Sequence, residues 1–532
     1  MRNSYHIVQP YTGYRGLRVV QMKKTFFRTL SAFLLALLVT GCATAPLDFP
    51  KTESHALANT ADTQLGVEVA EWAAVHPGES GFYPLTKGLD ALGARLTLID
   101  LAERSIDAQY FLMKPDSAGR LFIMRLLKAA DRGVRVRLLL DDIFTTVDDD
   151  VFVLLNQHPN IELRLFNPIG RDGVYHLNYL GHFKLANRRM HNKSFTVDNQ
   201  VSIVGGRNIA DEYFELLTET EFVDFDILAV GPVAAEISAT FDRFWNHKLA
   251  VPMEALESNK QLPDLETARA NSDRAANAAS ESIYGKALDS LLMQDITEDR
   301  VNLYPAQSRV ITDDPDKLLN KVSAEQQILV TALAEEINQA VSEVVVITPY
   351  FIPGKNGVEF WRSVTNRGVR VIIVTNSLAT NNHVPVHSAY ARYRHDMIAA
   401  GVELYEVRVD ASKAPADASK TAYDSLTLHT KMAMMDRRYT LVGSLNLDPR
   451  SIDINTEFGV FVDNAEMSNL ITERVLEILP AFTYRVTEND KGKLRWTATI
   501  NGQEVVEKNE PQASGWLRFK AFLSRLVPEK QL

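Results

Sequence analysis

Met190-His191-Asn192-Lys193-Ser194-Phe195-Thr196-Val197-Asp198 decides how this chain is read, because its pattern returns as Leu428-His429-Thr430-Lys431-Met432-Ala433-Met434-Met435-Asp436. Both are His-x-Lys-x4-Asp. Strand alternation places His191, Lys193, Phe195 and Val197 on one face. Asp198-Asn199-Gln200 then reads as a turn, with Val201–Val204 as the returning strand. The second copy repeats the plan through a turn at Asp436-Arg437-Arg438 and a return over Thr440–Val442. The two returns end in Gly205-Gly206-Arg207-Asn208 and Gly443-Ser444-Leu445-Asn446.

His and Lys two residues apart on one face suit a single phosphate contacted by both. The aspartates of the signature differ. Asp198 lies seven residues beyond His191, about 20 Å along an extended strand. Asp198 and Asp436 therefore read as turn or lobe anchors, out of reach of their own histidines. The small residues before Asn208 and Asn446 permit close backbone approach, and Asn208, Asn446 and Ser444 can donate to phosphate oxygens. A histidine that attacks phosphorus needs an acceptor on its far ring nitrogen to fix the tautomer. Asp224, in Phe222-Val223-Asp224-Phe225-Asp226, and Glu457, in Asn455-Thr456-Glu457-Phe458, are the candidates. A lone His-x-Lys is more often a solvated strand face. Two copies, each followed ten residues after its Asp by Asn, leave that reading little room. For the two acids, a surface strand carboxylate is the competing reading.

Working outward, other landmarks recur in the same order. Ile106-Asp107-Ala108-Gln109-Tyr110-Phe111 matches Ile347-Thr348-Pro349-Tyr350-Phe351, and Arg132-Gly133-Val134-Arg135-Val136 matches Arg367-Gly368-Val369-Arg370-Val371. Each half runs from a helix (88–104, 325–341) to a β run, then a second helix (118–131, 356–366) and an apolar strand at Val136–Leu140 or Val371–Val374. This alternation gives an α/β fold with crossover helices. The halves span 81–250 and 321–480. A polar connector at 251–320 has a helix expected at 264–292, and 481–532 reads as a C-terminal strand and amphipathic helix.

The chain has 532 residues, 46% apolar and 23% charged, with a net charge of −10. An acidic balance argues against a protein built to lie along nucleic acid. The single cysteine, Cys42, allows no intramolecular disulfide. It ends a segment with a basic start, Met22-Lys23-Lys24, an apolar run from Leu30 to Val39, and Val39-Thr40-Gly41-Cys42. Such a run is short for a membrane span and fits a secretory signal. Residues 22–42 are thus expected to be a signal peptide, 1–21 a dispensable leader or mis-called start, and 43–80 a tether.

These motifs resemble the phospholipase D superfamily from about residue 80 to 480. Within it the chain is similar to the bacterial cardiolipin synthase C branch, on Ile347 to Pro353, Gly443-Ser444-Leu445-Asn446-Leu447-Asp448-Pro449-Arg450-Ser451, Asp224 to Pro232, and the tail with Leu494-Arg495-Trp496 and Glu510-Pro511. The resemblance implies two repeats, each a mixed β-sheet flanked by helices, packed about a pseudo-two-fold with one shared active site. It implies His191, Lys193, Asp198, His429, Lys431 and Asp436 as the catalytic signature, with His191 as nucleophile and His429 as acid/base. Val39-Thr40-Gly41-Cys42 resembles a bacterial lipobox, which implies lipidation at Cys42 and a membrane-anchored lipoprotein facing the periplasm. No cofactor or metal is expected. Lys193, Lys431, Asn208 and Asn446 can surround the anionic oxygens, and the His383/His387 pair lacks a third ligand and fits a solvated or headgroup-contacting helix better than zinc.

The expected partners are membrane phospholipids, not nucleic acid. The chain is expected to act as a monomer, with a small accessory protein left open. Transfer of a phosphatidyl group to phosphatidylglycerol is preferred to hydrolysis yielding phosphatidic acid on the resemblance alone. A nuclease and a non-catalytic scaffold are the remaining alternatives. At the C-terminus Trp516, Phe519, Leu523 and Leu526 form one apolar stripe flanked by Arg518, Lys520 and Arg525. Such a stripe fits a membrane interface or packing on the protein's own core.

Overall fold

In the computed structural model, the strands Ser194–Val197 and Val201–Gly205 pair antiparallel through a three-residue loop that opens with a tight turn. Its central residues Asp198 and Asn199 have φ of 50° and 52°, and Gln200 N–H donates to Val197 O at 3.0 Å. Asp and Asn enter this left-handed region more readily than most residues, and the Asn199 amide donates to the distant Leu57 O at 3.3 Å. The second copy, joining Met432–Met435 to Tyr439–Gly443, has the same turn, with Asp436 and Arg437 at 52° and 53°.

The structure describes residues 45–171, 183–216, 220–256, 262, 264–267, 283–290, 292–294, 301–319, 322–411 and 425–532. Pro46–Pro168 with Lys184–Leu532 form one compact unit. Met1–Ala45 with Ile169–Phe183 form another, where the Arg171 guanidinium donates to Ile169 O at 3.0 Å. Cys42, the segments 1–21 and 22–42, and most of the helix expected over 264–292 lie outside the described residues.

In the large unit, the first half orders its strands Ser80–Leu85, Asp226–Val230, Val201–Gly205, Ser194–Val197, Ser105–Tyr110, Arg135–Asp141, Ile161–Phe166 and Ala250–Pro252. The second half repeats this: Tyr304–Thr312, Phe458–Asp463, Tyr439–Gly443, Met432–Met435, Glu343–Ile347, Arg370–Asn376, Glu403–Val407 and Thr483–Glu488. Three consecutive strands of each half are parallel and the rest antiparallel, so the sheets are mixed. Helices Gly88–Leu101 and Ser117–Asp131 in one half, and Ile328–Gln339 and Gly354–Asn366 in the other, supply the crossovers.

Alternating side chains divide the core into layers. Ile203 packs under the first half's helices and Leu441 under the second's, while their neighbours Val204 and Val442 meet in a third cluster. That cluster contains Phe82, Ile227 and Ala229 with Met434, Val460 and Val462, and so cements the halves to each other.

Three sequence expectations are corrected. The tether expected over 43–80 is, from Pro46 on, docked on the first half. Lys51 Nζ donates to His247 O at 2.5 Å and Arg137 to Ser54 O at 2.9 Å, and the helix Gln64–Val75 buries Leu65 and Val69. Its polar groups are bound to distant residues of the first half, which composition alone does not reveal. The connector contains a structural strand, Tyr304–Thr312, paired with Ser80–Leu85 on one side and Phe458–Asp463 on the other. Through it, eighteen strands among the described residues form one sheet. The C-terminal region holds three strands, Thr483–Glu488, Leu494–Ile500 and Gln503–Glu507, before its helix Gly515–Ser524.

Candidate active site

Each histidine lies just before its hairpin, where its backbone pairs with the opposite half. Met190 forms a parallel bridge with Thr456, and His191 N–H donates to Thr456 O at 3.0 Å. Strand Ser425–Leu428 pairs in parallel with Thr220–Val223, and His429 N–H donates to Val223 O at 2.8 Å. These registers set His191 beside Glu457 and His429 beside Asp224. The side chains follow. His191 Nδ1 is 2.9 Å from Glu457 Oε2 and 3.1 Å from Ser444 O, and His429 Nδ1 is 2.5 Å from Asp224 Oδ2. The pairing is crossed: each half supplies the acid for the other half's histidine. With Nδ1–H donated to the acid, Nε2 keeps the lone pair in a neutral ring.

All four pairing groups are buried, with His191 at 6% exposure, His429 at 7%, and the carboxylates at 3% and 0%. Rings seal the histidines from the sides. Phe111 meets His191 edge-on with centroids 4.8 Å apart, and Phe222 stacks on His429 at 5.4 Å while Tyr213 meets it edge-on at 5.1 Å. Burial is the main cause that lowers both histidines, His191 well below its ordinary value and His429 to about 3, with the lysine charges adding to it.

Lys193 Nζ donates to His191 O at 2.5 Å, and Lys431 Nζ does the same to His429 O. Burial and the neighbouring Lys431 lower Lys193 to about 7, and burial lowers Lys431 to about 8. Two buried ammonium groups, both lowered by burial, form a cationic patch, and an anionic phosphodiester would restore both charges.

The acids are unequal. Burial raises Glu457 to about 7, against the opposing pull of Lys193 and the Ser444 hydroxyl. Burial also acts on Asp224, but His429, Lys431 and Arg207 outweigh it and hold Asp224 well below the usual carboxylate range. A local sequence difference accompanies this. Gly206 and Ser444 are equivalent, since their N–H groups donate to Phe225 O and Phe458 O. A Cβ on Gly206 would sit 2.1 Å from Asp224 Oδ1, so glycine is required there. At Ser444 the hydroxyl donates to Glu457 Oε2 at 2.5 Å and accepts from Phe458 N–H at 2.9 Å.

The remaining sequence candidates fall in different places. Asp198 accepts from Glu103 N–H at 3.0 Å and from Arg104 and Ser105 N–H at 2.8 Å. Asp436 accepts likewise from Val341, Ser342 and Glu343. Both lie at the far end of the hairpin, on the start of a neighbouring strand. Asn208 Oδ1 accepts from Leu112 N–H at 3.2 Å and its amide donates to Tyr213 Oη at 3.0 Å. Asn446 Oδ1 is buried with no partner among the described residues. His387 is buried, not solvated, beside Arg394 at 3.1 Å and Glu510 at 3.4 Å, because the C-terminal segment folds over its helix. Among the described residues no three His, Cys, Asp or Glu side chains converge to hold a metal.

Sequence reading overlooked the supports. Arg207 bonds Asp224 O at 2.6 Å and Leu85 O at 2.9 Å. Asp313, from the connector, accepts from Glu457 N–H at 3.1 Å and pairs with Lys317 at 2.6 Å. Arg207 stood inside the Gly-Gly-Arg-Asn motif and could have been singled out. Asp313 carried no local signal.

A family model described as cardiolipin synthase, PLD-like domain, matches residues 96–245 and again 333–478, covering both crossed halves. The chain belongs to this family. It is 35% identical to cardiolipin synthase C of Escherichia coli (strain K12), over 88% of this chain and 99% of that protein. It is 25% identical to cardiolipin synthase B of Salmonella typhi, over 78% and 85% respectively. Among solved structures, phosphatidylserine synthase of Haemophilus influenzae Rd KW20 shares the fold, with a TM-score of 0.54 at 13% identity, covering 87% of this chain and 100% of that one. The doubled motif is thus that of a phospholipase D-like enzyme.

Proposed function

We propose that this enzyme transfers a phosphatidyl group to phosphatidylglycerol, a cardiolipin synthase-type reaction passing through a phosphohistidine. The observation that carries the reading is the crossed, unequal pair of acid–histidine contacts around two buried lysines. His191, neutral and with Nδ1–H directed at Glu457, presents Nε2 as the nucleophile. Its attack forms a P–N bond and breaks the bond from phosphorus to the headgroup oxygen. His429, to which ionised Asp224 returns part of the proton affinity that burial removes, takes up a proton at Nε2 when the anionic lipid is bound and gives it to the leaving alkoxide. The hydroxyl of phosphatidylglycerol then attacks phosphorus, passes its proton to His429 and releases His191. Lys193, Lys431 and the amide of Asn446 offset charge on the phosphoryl oxygens.

The preference for transfer over hydrolysis rests on the likeness to cardiolipin synthase C. The Cys42 lipobox supports a lipoprotein in the bacterial envelope, where such substrates lie, and the chain is proposed to work there as a monomer. Among the described residues no helix is long and apolar enough to cross a membrane. Lipid analysis of phosphatidylglycerol vesicles incubated with the wild type and His191→Ala tests the reading. New cardiolipin with the wild type alone is expected. Phosphatidic acid alone would replace transfer by hydrolysis, and DNA cleavage without any lipid change would overturn both.

A further inference from the structure

The apolar stripe of the C-terminal helix Gly515–Ser524 faces outward. Its inner side is Leu517, Ala521 and Ser524, which are partly covered, and Ser388 Oγ donates to Ala521 O at 2.6 Å. Trp516 is 62% exposed, Phe519 48%, Phe522 61%, Leu523 47% and Leu526 84%. Five large apolar side chains on one surface element exceed the scattered exposure ordinary in a soluble protein. Arg518, Lys520 and Arg525 accompany them, and the stretch 515–526 has no acid.

Beside this helix opens a cleft of about 960 Å³ that contains none of the active-site residues. Arg392, Lys493, Arg495, Lys508 and Arg525 line it, and its one acid, Glu510, is paired with Arg394 at 2.6 Å. Among the described residues no carboxylate pairs with Lys493, Arg495, Lys508 or Arg525, whereas Arg392 is paired with Glu529 at 2.8 Å. Residues 481–532 hold nine Lys and Arg against six Asp and Glu, in a chain whose net charge is −10. A basic cleft next to exposed tryptophan, phenylalanine and leucine has the chemistry of an interfacial helix on an anionic bilayer, where cations meet headgroups and the apolar side chains enter the acyl boundary.

We infer that the helix Gly515–Ser524 and the adjoining basic cleft form a second lipid contact, seating the enzyme on an anionic phospholipid surface independently of its N-terminus. The contact extends the transferase reading without depending on it. The same C-terminal segment reaches the active-site scaffold. Leu532 O accepts from Arg450 N–H at 2.7 Å, and Arg450 bonds Asn187 O at 2.6 Å, four residues before His191. Seating the helix therefore holds a fixed relation to the segment that carries His191.

Tryptophan quenching in vesicles tests this with the full chain. Vesicles are made from phosphatidylglycerol and phosphatidylethanolamine with brominated acyl chains. Trp245, Trp361 and Trp496 are buried and Trp72 is partly buried, so the Trp516 signal is read as the difference in depth-dependent quenching between the wild type and Trp516→Phe. Quenching is expected for the wild type, falling severalfold in Lys493→Glu/Arg495→Glu/Lys508→Glu and in brominated phosphatidylcholine vesicles. Turnover of detergent-solubilised lipid by the triple variant should stay within about twofold, which separates this contact from the chemistry and reports folding. Absence of Trp516 quenching, or equal quenching in phosphatidylcholine, overturns the inference. So does binding of DNA or heparin without vesicle insertion. Quenching with no lipid turnover would leave the contact standing and remove the transferase reading.

Discussion

At the residue scale, the two acid–histidine pairs differ by the hydroxymethyl group of Ser444 and the extra methylene of Glu457. Asp224 fits against the bare Gly206 and stays ionised. Glu457 leans on the Ser444 hydroxyl and is raised by burial to about 7. A carboxylate must be ionised to accept the His191 Nδ1 proton and leave Nε2 free, so the acidic limb of kcat/KM should follow Glu457, activity falling as pH drops through about 7. The Ser444 hydroxyl holds Glu457 down, so Ser444→Ala raises it and moves that limb to higher pH. One hydrogen bond to an ionised carboxylate, about 1.5 kcal/mol, corresponds to about 1 pH unit. A pH profile of kcat/KM for the two proteins checks this. An unmoved limb with a higher KM would instead return Ser444 to direct phosphate contact, the role its place in the motif suggested.

At the scale of elements, the signature aspartates serve the hairpins. Oδ1 and Oδ2 of Asp198 take three backbone N–H groups at the start of strand Ser105–Tyr110, in a site of 0% exposure. Asp198→Asn puts an amide donor against one of those N–H groups and removes the charge, a loss of about 2–4 kcal/mol. Asp436 does the same job at a more exposed edge, so Asp436→Asn should cost about 1–2 kcal/mol. Urea midpoints should fall in that order, while turnover per folded molecule stays within a few-fold of wild type. A catalytic role would reverse this, with full stability and lost turnover. This division was legible beforehand, because seven residues of extended chain separate Asp198 from His191. The strand Tyr304–Thr312 was not: its side chains alternate weakly between partners on both sides, and only its pairing with two distant strands reveals it. The docked segment from Pro46 was hidden for a related reason, since Lys51 donates to the distant His247 O and Ser54 O accepts from the distant Arg137 side chain.

For the whole molecule, duplication explains why neither half can work alone. The repeated landmarks disclosed two equivalent halves, and the acids could be nominated from type and position. Sequence could not disclose that the pairs are exchanged, because the exchange arises from parallel pairing of 425–428 with 220–223 and of Met190 with Thr456. Backbone register places His191 against Glu457 and His429 against Asp224, and the shared core of Val204, Ile227, Val442 and Val460 makes that register part of folding. A chain lacking His191 therefore keeps a Glu457 that no other chain's histidine can reach without separating the halves. It follows that His191→Ala and His429→Ala chains, each inactive, should stay inactive when mixed after folding, with turnover of lipid as the measure. Refolding the two together from denaturant should restore nothing further if the halves of one chain always find each other first. Recovery on simple mixing would instead mean that halves exchange between chains, and the working unit would be a dimer.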